Sequence, residues 1–158
     1  MPIAELVAWR RELLSVCDAD FDAERYMELA DLVDGDEGPA VVHTLIASLR
    51  AEDDHGGAHE AAYSALARFP PGDLVSGTIT AAADLLALPR DNSGQVLQLI
   101  TLVAAAQDLE DFHRGVRLLD PDLRHRLGDL VRDHEQDEWL AGERSLGKLR
   151  FVPPEPSA

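Results

Sequence analysis

The sequence predicts an all-α fold: a right-handed stack of antiparallel helical hairpins, that is, a HEAT-like α-solenoid of about eight helices. Three observations predict it. Ala and Leu are abundant while aromatic residues make up only 5% of the 158 residues, a composition that favours helices over strands. No segment alternates apolar and polar residues over the length of a strand. Apolar positions instead recur at helical spacing, and pairs of helices repeat along the chain.

Four helices are predicted in the N-terminal half. The first runs over 3–17. The second runs over 21–34 with Asp20 as its expected N-cap, because Asp side chains accept hydrogen bonds from the first turn. Pro39 suits the first position of the third helix, which extends to about residue 51. The fourth runs over 57–69. Their predicted inward residues are Ile3, Leu6, Val7, Leu13 and Leu14, then Phe21, Tyr26, Leu29, Leu32 and Val33, then Val41, Val42, Leu45, Ile46 and Leu49, and finally Ala58, Ala62, Ala65, Leu66 and Phe69.

Four more helices are predicted in the C-terminal half. The fifth runs from Asp73 to Leu88 and stops at a proline. Ser93 is the expected cap of the sixth, whose VLQLITLVAAA run is apolar nearly all round and should make it the most buried helix. Asp108 with Asp111 resembles a capping box for the seventh, over 109–119. The eighth opens at 120–121 and reaches Trp139. The predicted inward residues are Leu74, Val75, Ile79, Ala82 and Leu86 in the fifth helix and Leu123, Leu127, Leu130 and Val131 in the eighth.

An internal repeat supports the stacked-hairpin prediction. Equivalent positions, all but His113 apolar, lie 34 residues apart: Val41 with Val75 and Leu109, Leu45 with Ile79 and His113, Ala62 with Val96, and Leu66 with Ile100. A helical-hairpin period in the mid-thirties is typical of α-solenoids, and the W-x2-L-G-x2-Y signature of tetratricopeptide repeats is missing. We expect one domain over 1–150 followed by a Pro-rich tail, 151–158.

The charge balance restricts the class of partner. The chain carries a formal net charge of -16, with 18 acids and 6 bases in residues 1–94 alone. Nucleic-acid binders need a cationic surface, so we expect no nucleic-acid partner. A folded acidic half favours a basic protein partner, although solubility alone also explains acidity. The single Cys17 and the absence of a basic-then-apolar leader make cytoplasmic the expected location, with no membrane association.

Few residues suggest chemistry. His55 and His59 stand four apart beside several acids, which makes a zinc or manganese site conceivable, but two histidines on the surface beside a turn are the commoner case. His134 is expected at a solvated helix end. Cys17 is expected to be a small buried residue at a helix end. No nucleophile, phosphate-loop or zinc-protease motif is present, so we expect a binding protein without catalytic residues, cofactor or metal, not an enzyme.

The middle of the chain resembles small helical immunity proteins of bacterial polymorphic toxin systems. The resemblance covers about 38–130 and lies in Leu45-Ile46-x-x-Leu49, the Asp53-Asp54 turn, Leu66-x-x-Phe69-Pro70, a helix to Leu86 and Leu88, Pro89, the VLQLITL helix and Phe112. It implies a cytoplasmic antidote that binds and blocks a cognate toxin.

An acidic partner surface is predicted in the N-terminal half. Stacked hairpins could bring five acids to one edge, where they would attract a basic toxin such as a nuclease and speed its association. The residues are Glu28, Asp31, Asp53, Asp54 and Glu60. Two alternatives stay open: a HEAT-like adaptor that presents a concave face to another protein, and a small metal-dependent hydrolase that uses His55 and His59.

Overall fold

The computed structural model describes residues 1–18, 20–53 and 56–150, and all regular structure in them is helical. The described residues contain nine α-helices and no strand, which confirms the all-α class. Short 3-10 turns precede α1 and follow α3. The helices are α1 Leu6–Val16, α2 Ala23–Asp31, α3 Pro39–Ala47, α4 His59–Leu66, α5 Pro71–Thr80, α6 Ala82–Ala87, α7 Arg90–Val103, α8 Ala106–Arg117 and α9 Pro121–Glu135. The predicted tail, 151–158, lies outside the described residues.

Most helix starts follow the sequence signals, with shifts of a few residues. Asp120 caps α9 as predicted, since its carboxylate accepts from a first-turn amide, and Pro39 is the first residue of α3. The prediction of Asp20 as the cap of α2 is wrong. Asp22 fills that role, and its Oδ1 accepts from the amide of Arg25 at 3.1 Å. The helix starts two residues later than predicted, because only Asp22 lies where its side chain reaches a first-turn amide.

The predicted fifth helix, Asp73 to Leu88, is two helices. They meet at Ala81, whose φ of -90° and ψ of 13° depart from helical geometry. Just before the break, the Thr80 hydroxyl donates to the carbonyl of Gly77 at 3.0 Å. The break also changes which residues point inward: Leu85 is fully buried, whereas Leu86, the predicted core residue, is half-buried.

Two predicted capping signals of the C-terminal half have other roles. Ser93 does not cap α7: it lies inside the first turn of that helix, buried, and its hydroxyl donates to a carbonyl at 2.9 Å. Asp108 accepts from the amide of Ala105 at 2.8 Å, so it supports the start of α8 from within the helix. The expectation that this apolar α7 is the most buried helix is wrong, because six of its fourteen residues are buried against six of nine in α3.

Helices α3, α5 and α8 pack in succession, and glycines let them approach closely. A Cβ on Gly77 of α5 would stand 2.5 Å from Val42 of α3, and one on Gly115 of α8 would stand 3.0 Å from Ile79 of α5. The 34-residue alignment of the sequence pairs residues of these same three helices. This succession is the one that stacked hairpins require, and the right-handed solenoid remains a prediction.

The core follows the predicted helix faces in the middle of the chain and departs from them near the N-terminus. All ten inward positions predicted for the third and fourth helices are buried. Val7 and Leu32, also predicted inward, are 71% and 53% exposed. Trp9 is buried instead, and its indole Nε1 donates to the carbonyl of Leu29 at 2.8 Å. Trp9 and Leu13 stand four residues apart and share the buried face of α1, whereas Val7 lies on a different face of the same helix.

Candidate functional site

The outward face of α2 is acidic with apolar residues among the acids. Glu24, Met27, Glu28 and Asp31 follow the i, i+3, i+4, i+7 spacing of one helix face, and all four are exposed. Leu32 lies beside them, 53% exposed. We call these five residues the α2 face. The opposite side of the helix is buried, so the core fixes which way the α2 face points.

One acid of the α2 face is already paired within the chain. Arg25 donates to Glu28 at 3.0 Å and, through Nε and Nη2, to both carboxylate oxygens of Glu12 on α1 at 2.5 and 2.7 Å. The hydrogen bonds from Arg25 lower the pKa of Glu12 below its ordinary value. Glu24 and Asp31 form no ion pair within the described part of the chain. Their charges are therefore the ones free to meet a partner.

The remaining predicted partner residues are distributed over neighbouring elements. Glu60 is exposed in the first turn of α4, and α4 packs against α2. Asp53 is exposed and lines a cleft of about 290 Å³ together with Asp18 and Arg50. Asp54 lies outside the described residues. The structure thus brings Glu28, Asp31 and Glu60 onto two adjacent helices.

A cluster of buried rings holds α2 against α4. His59 is buried, edge-on to the rings of Phe21 and Tyr26 with centroids 5.7 Å away in both cases. The Tyr26 hydroxyl lies 2.7 Å from the hydroxyl of Ser48, and burial raises the pKa of Tyr26 above its ordinary value. The expectation that His59 lies on the surface is wrong, because its imidazole fills space between aromatic rings. His55, its predicted companion, lies outside the described residues.

The end of α1 is tied to the turn after α3. Arg50 donates to both carboxylate oxygens of Asp18, at 2.7 and 2.8 Å, and also to the carbonyl of Leu14 at 3.0 Å. Cys17, which ends α1, is fully buried beside this pair, and burial raises the pKa of its thiol. The prediction of Cys17 as a small buried residue at a helix end is confirmed. Its raised pKa disfavours the reactive thiolate.

The loop after α2 gathers three carboxylates that could hold a cation. Ligand oxygens of Asp34, Asp36 and Glu37 lie within 4.8 Å of one another. Glu37 accepts from the amides of Asp34 and Gly35 at 2.8 Å each. Burial alone would raise the pKa of Glu37, but these amide hydrogen bonds outweigh it and leave the pKa lowered. The amine of Met1 forms ion pairs with Asp34 and Glu37, so positive charge is already present in the cluster.

A buried polar network that the sequence did not reveal joins α9 to α7. His134, predicted at a solvated helix end, is fully buried, which corrects that prediction. Arg90 can only donate, so the 3.3 Å contact makes Nδ1 of His134 an acceptor, and Nε2 then donates to Ser93 at 3.1 Å. Arg90 also pairs with Asp137. A Ser, a His and an Asp therefore meet here, but Ser93 and His134 are closed off from solvent.

Comparisons with protein-family models, with curated proteins and with solved structures found no match for this chain. Among the described residues, no helix combines the length and the apolar character needed to cross a membrane.

Proposed function

We propose that this protein is an immunity protein, an antidote that binds a cognate toxin with a basic surface and blocks that toxin's active or substrate-binding surface. The observation that carries the proposal is the α2 face, where exposed carboxylates surround exposed Met27 and Leu32. The resemblance of residues 38–130 to helical immunity proteins supports the same function. The protein acts by occlusion and needs no catalytic residue of its own.

The α2 face combines exposed acids with exposed apolar side chains, and an inhibitor that binds its target quickly and with high affinity needs both. Acids attract a basic partner over distances of about 8 Å at physiological salt and so raise the association rate. Apolar side chains within the same face give an anchor that loses its contact with water on binding. Glu24 and Asp31 supply unpaired charge, whereas Glu28 must share its carboxylate with Arg25. Among the predicted partner residues, Asp31 and Glu60 are therefore the ones best placed to attract the toxin.

Growth rescue tests the proposed function. The product of the gene adjacent to the one for this chain is expressed alone and together with it. We expect growth arrest in the first case and recovery in the second, and recovery should fail when Met27 and Leu32 are both changed to Asp. The charge-matched control changes Ala40 and Ala67, two exposed residues elsewhere on the surface, to Asp and should keep rescue. An adjacent product that is harmless, or toxic with no recovery, contradicts the proposal.

A HEAT-like adaptor is the second candidate function. The successive packing of α3, α5 and α8 favours it, because repeat scaffolds present long surfaces built from such stacks. The same rescue experiment separates the two functions, since an adaptor has no toxic neighbour to neutralise. Within the described residues nothing favours the metal-dependent hydrolase, since His59 is part of the ring cluster with Phe21 and Tyr26.

A further inference from the structure

A groove on the molecule's surface runs between α5 and α8, and none of its lining residues belongs to the α2 face. Its volume is about 340 Å³, a size at the lower end of small-molecule binding sites. We call it the α5–α8 groove. The residues that line it are Gly72, Val75, Ser76, Ile79 and Thr80 from α5, and Asp111, Arg114, Gly115 and Leu118 from α8 and the residue that follows it.

The groove is apolar and open because of its particular residues. Gly72 and Gly115 place no side chain in it, while Val75 and Ile79 supply an apolar wall. Leu118 stands at its edge 83% exposed, the most exposed large hydrophobic residue in the described part of the chain. An exposed leucine beside an apolar groove costs free energy in water, and a ligand that covers both would remove that cost.

One charged group of the groove has spare hydrogen-bonding capacity. Arg114 donates through Nη1 to Asp111 at 2.9 Å, an i, i+3 pair with both side chains well exposed. Its other N–H groups form no hydrogen bond within the described residues. A guanidinium has five N–H donors and binds a carboxylate through two of them. Arg114 can therefore take a second carboxylate without giving up Asp111.

We propose that the α5–α8 groove binds a small amphiphilic carboxylate, with its apolar part against Ile79 and Leu118 and its carboxylate on Arg114. The proposal does not depend on the antidote function. A second copy of the chain is the less favoured occupant, because two bodies of charge -16 repel each other far more than one such body repels a single carboxylate.

Octanoate is the probe for this site, and its binding is monitored in ¹H–¹⁵N spectra of the full chain. We expect saturable shifts centred on the amides of Ser76 and Gly115. Arg114→Gln should weaken octanoate binding about tenfold, the effect of losing one charge-assisted hydrogen-bonding group. Arg117→Gln is the matched control: it removes the same charge from the same helix turn but does not line the groove, and it should leave the affinity within about twofold.

Two further measurements test the groove and the carboxylate separately. Ser76→Trp puts a bulky ring into the groove from an exposed position and should abolish the octanoate shifts while the melting temperature stays unchanged. 1-Octanol, which has the same apolar part without the carboxylate, should bind wild type and Arg114→Gln equally weakly. Equal loss in both arginine variants, or octanol binding as tight as octanoate, would overturn the proposal. So would shifts at Ser76 and Gly115 that follow protein concentration, because these would identify a second copy as the occupant.

Discussion

At the scale of single residues, the buried polar side chains of His134 and Glu135 are hydrogen-bonded to partners in other parts of the chain. His134 bonds through both ring nitrogens to α7, and Glu135 beside it accepts from the amide of Gly147 at 2.8 Å and from Arg150 at 3.1 Å. These contacts hold the segment after α9 against the helical body. Removing the partner of a buried polar group such as Glu135 leaves that group without compensation, which costs far more than removing an exposed charge.

The free energy of unfolding should depend on the protonation of His134. Burial lowers the pKa of His134 below its ordinary value of 6.5, against the opposing effect of Asp137. In the unfolded chain the imidazole takes up its proton near its ordinary pKa, whereas the folded protein keeps it neutral to lower pH. The unfolded state therefore binds more protons in this window, and stability falls as the pH drops below about 6.5. Above that pH the imidazole is neutral in both states and contributes no pH dependence.

Urea unfolding at pH values of about 7.5 and 5.5 measures this effect. His134→Gln keeps one donor and one acceptor for Ser93 and Arg90 but cannot be protonated, so it should lose part of the pH dependence seen in wild type. His125→Gln is the control, because His125 lies on the exposed face of α9. If His134→Gln and His125→Gln show the same pH dependence as wild type, the buried imidazole does not couple folding to pH.

At the scale of helices, close approach at glycines sets the packing of α5 on α3. The Cβ of an alanine at position 77 would lie 2.5 Å from Val42 and 2.6 Å from the carbonyl of Pro39. Gly77→Ala should therefore destabilise the fold by about 1–3 kcal/mol, the usual cost of overpacking a core. Gly72→Ala in the same helix meets nothing within 4 Å and should be neutral or slightly stabilising. Equal midpoints of denaturant unfolding for the two variants would contradict this packing.

Large core side chains of α4 and α7 should be costly to truncate. Leu66 of α4 and Ile100 of α7 are fully buried and occupy equivalent positions of the 34-residue alignment. Leu66→Ala and Ile100→Ala should each lower the free energy of unfolding by about 2–5 kcal/mol. Leu102→Ala is the control, since Leu102 is exposed at the end of α7. A loss for Leu102→Ala as large as the other two would mean that burial does not decide the effect.

The helices that the sequence predicts best are those whose faces are set by strong apolar periodicity alone. All ten apolar residues predicted inward for the third and fourth helices are buried, although the buried His59 and Tyr63 of α4 were not among them. The break at Ala81 was not predictable, because the apolar spacing of the predicted fifth helix continues across it. Trp9 and His134 were missed because the partners that bury them come from elements about 20 and 40 residues away.

At the scale of the whole molecule, negative charge is concentrated in residues 1–94, and this charge can attract a basic partner before the two proteins touch. The acids of residues 1–94 give that half the greater negative charge, and the α2 face lies within it. Two of the predicted partner residues, Glu28 and Asp31, lie on the α2 face, and a third, Glu60, lies on the adjacent α4. The sequence did not reveal that Arg25 forms an ion pair with Glu28. Nor did it reveal that the side chains of Met27 and Leu32 are exposed among the acids. Those features depend on which side of α2 the core covers.

The association rate with the product of the adjacent gene, which the proposed function makes the toxin, tests the central claim most directly. It is measured by stopped flow at about 50 and 500 mM salt. Asp31→Asn with Glu60→Gln should slow association several-fold at low salt and little at high salt, because exposed charges steer encounter and salt screens them. Glu110→Gln with Glu138→Gln removes the same charge from exposed sites outside the α2 face and should keep the wild-type rate. Equal rates for both double variants and wild type, with no salt dependence, would contradict an acidic docking face on α2 and α4.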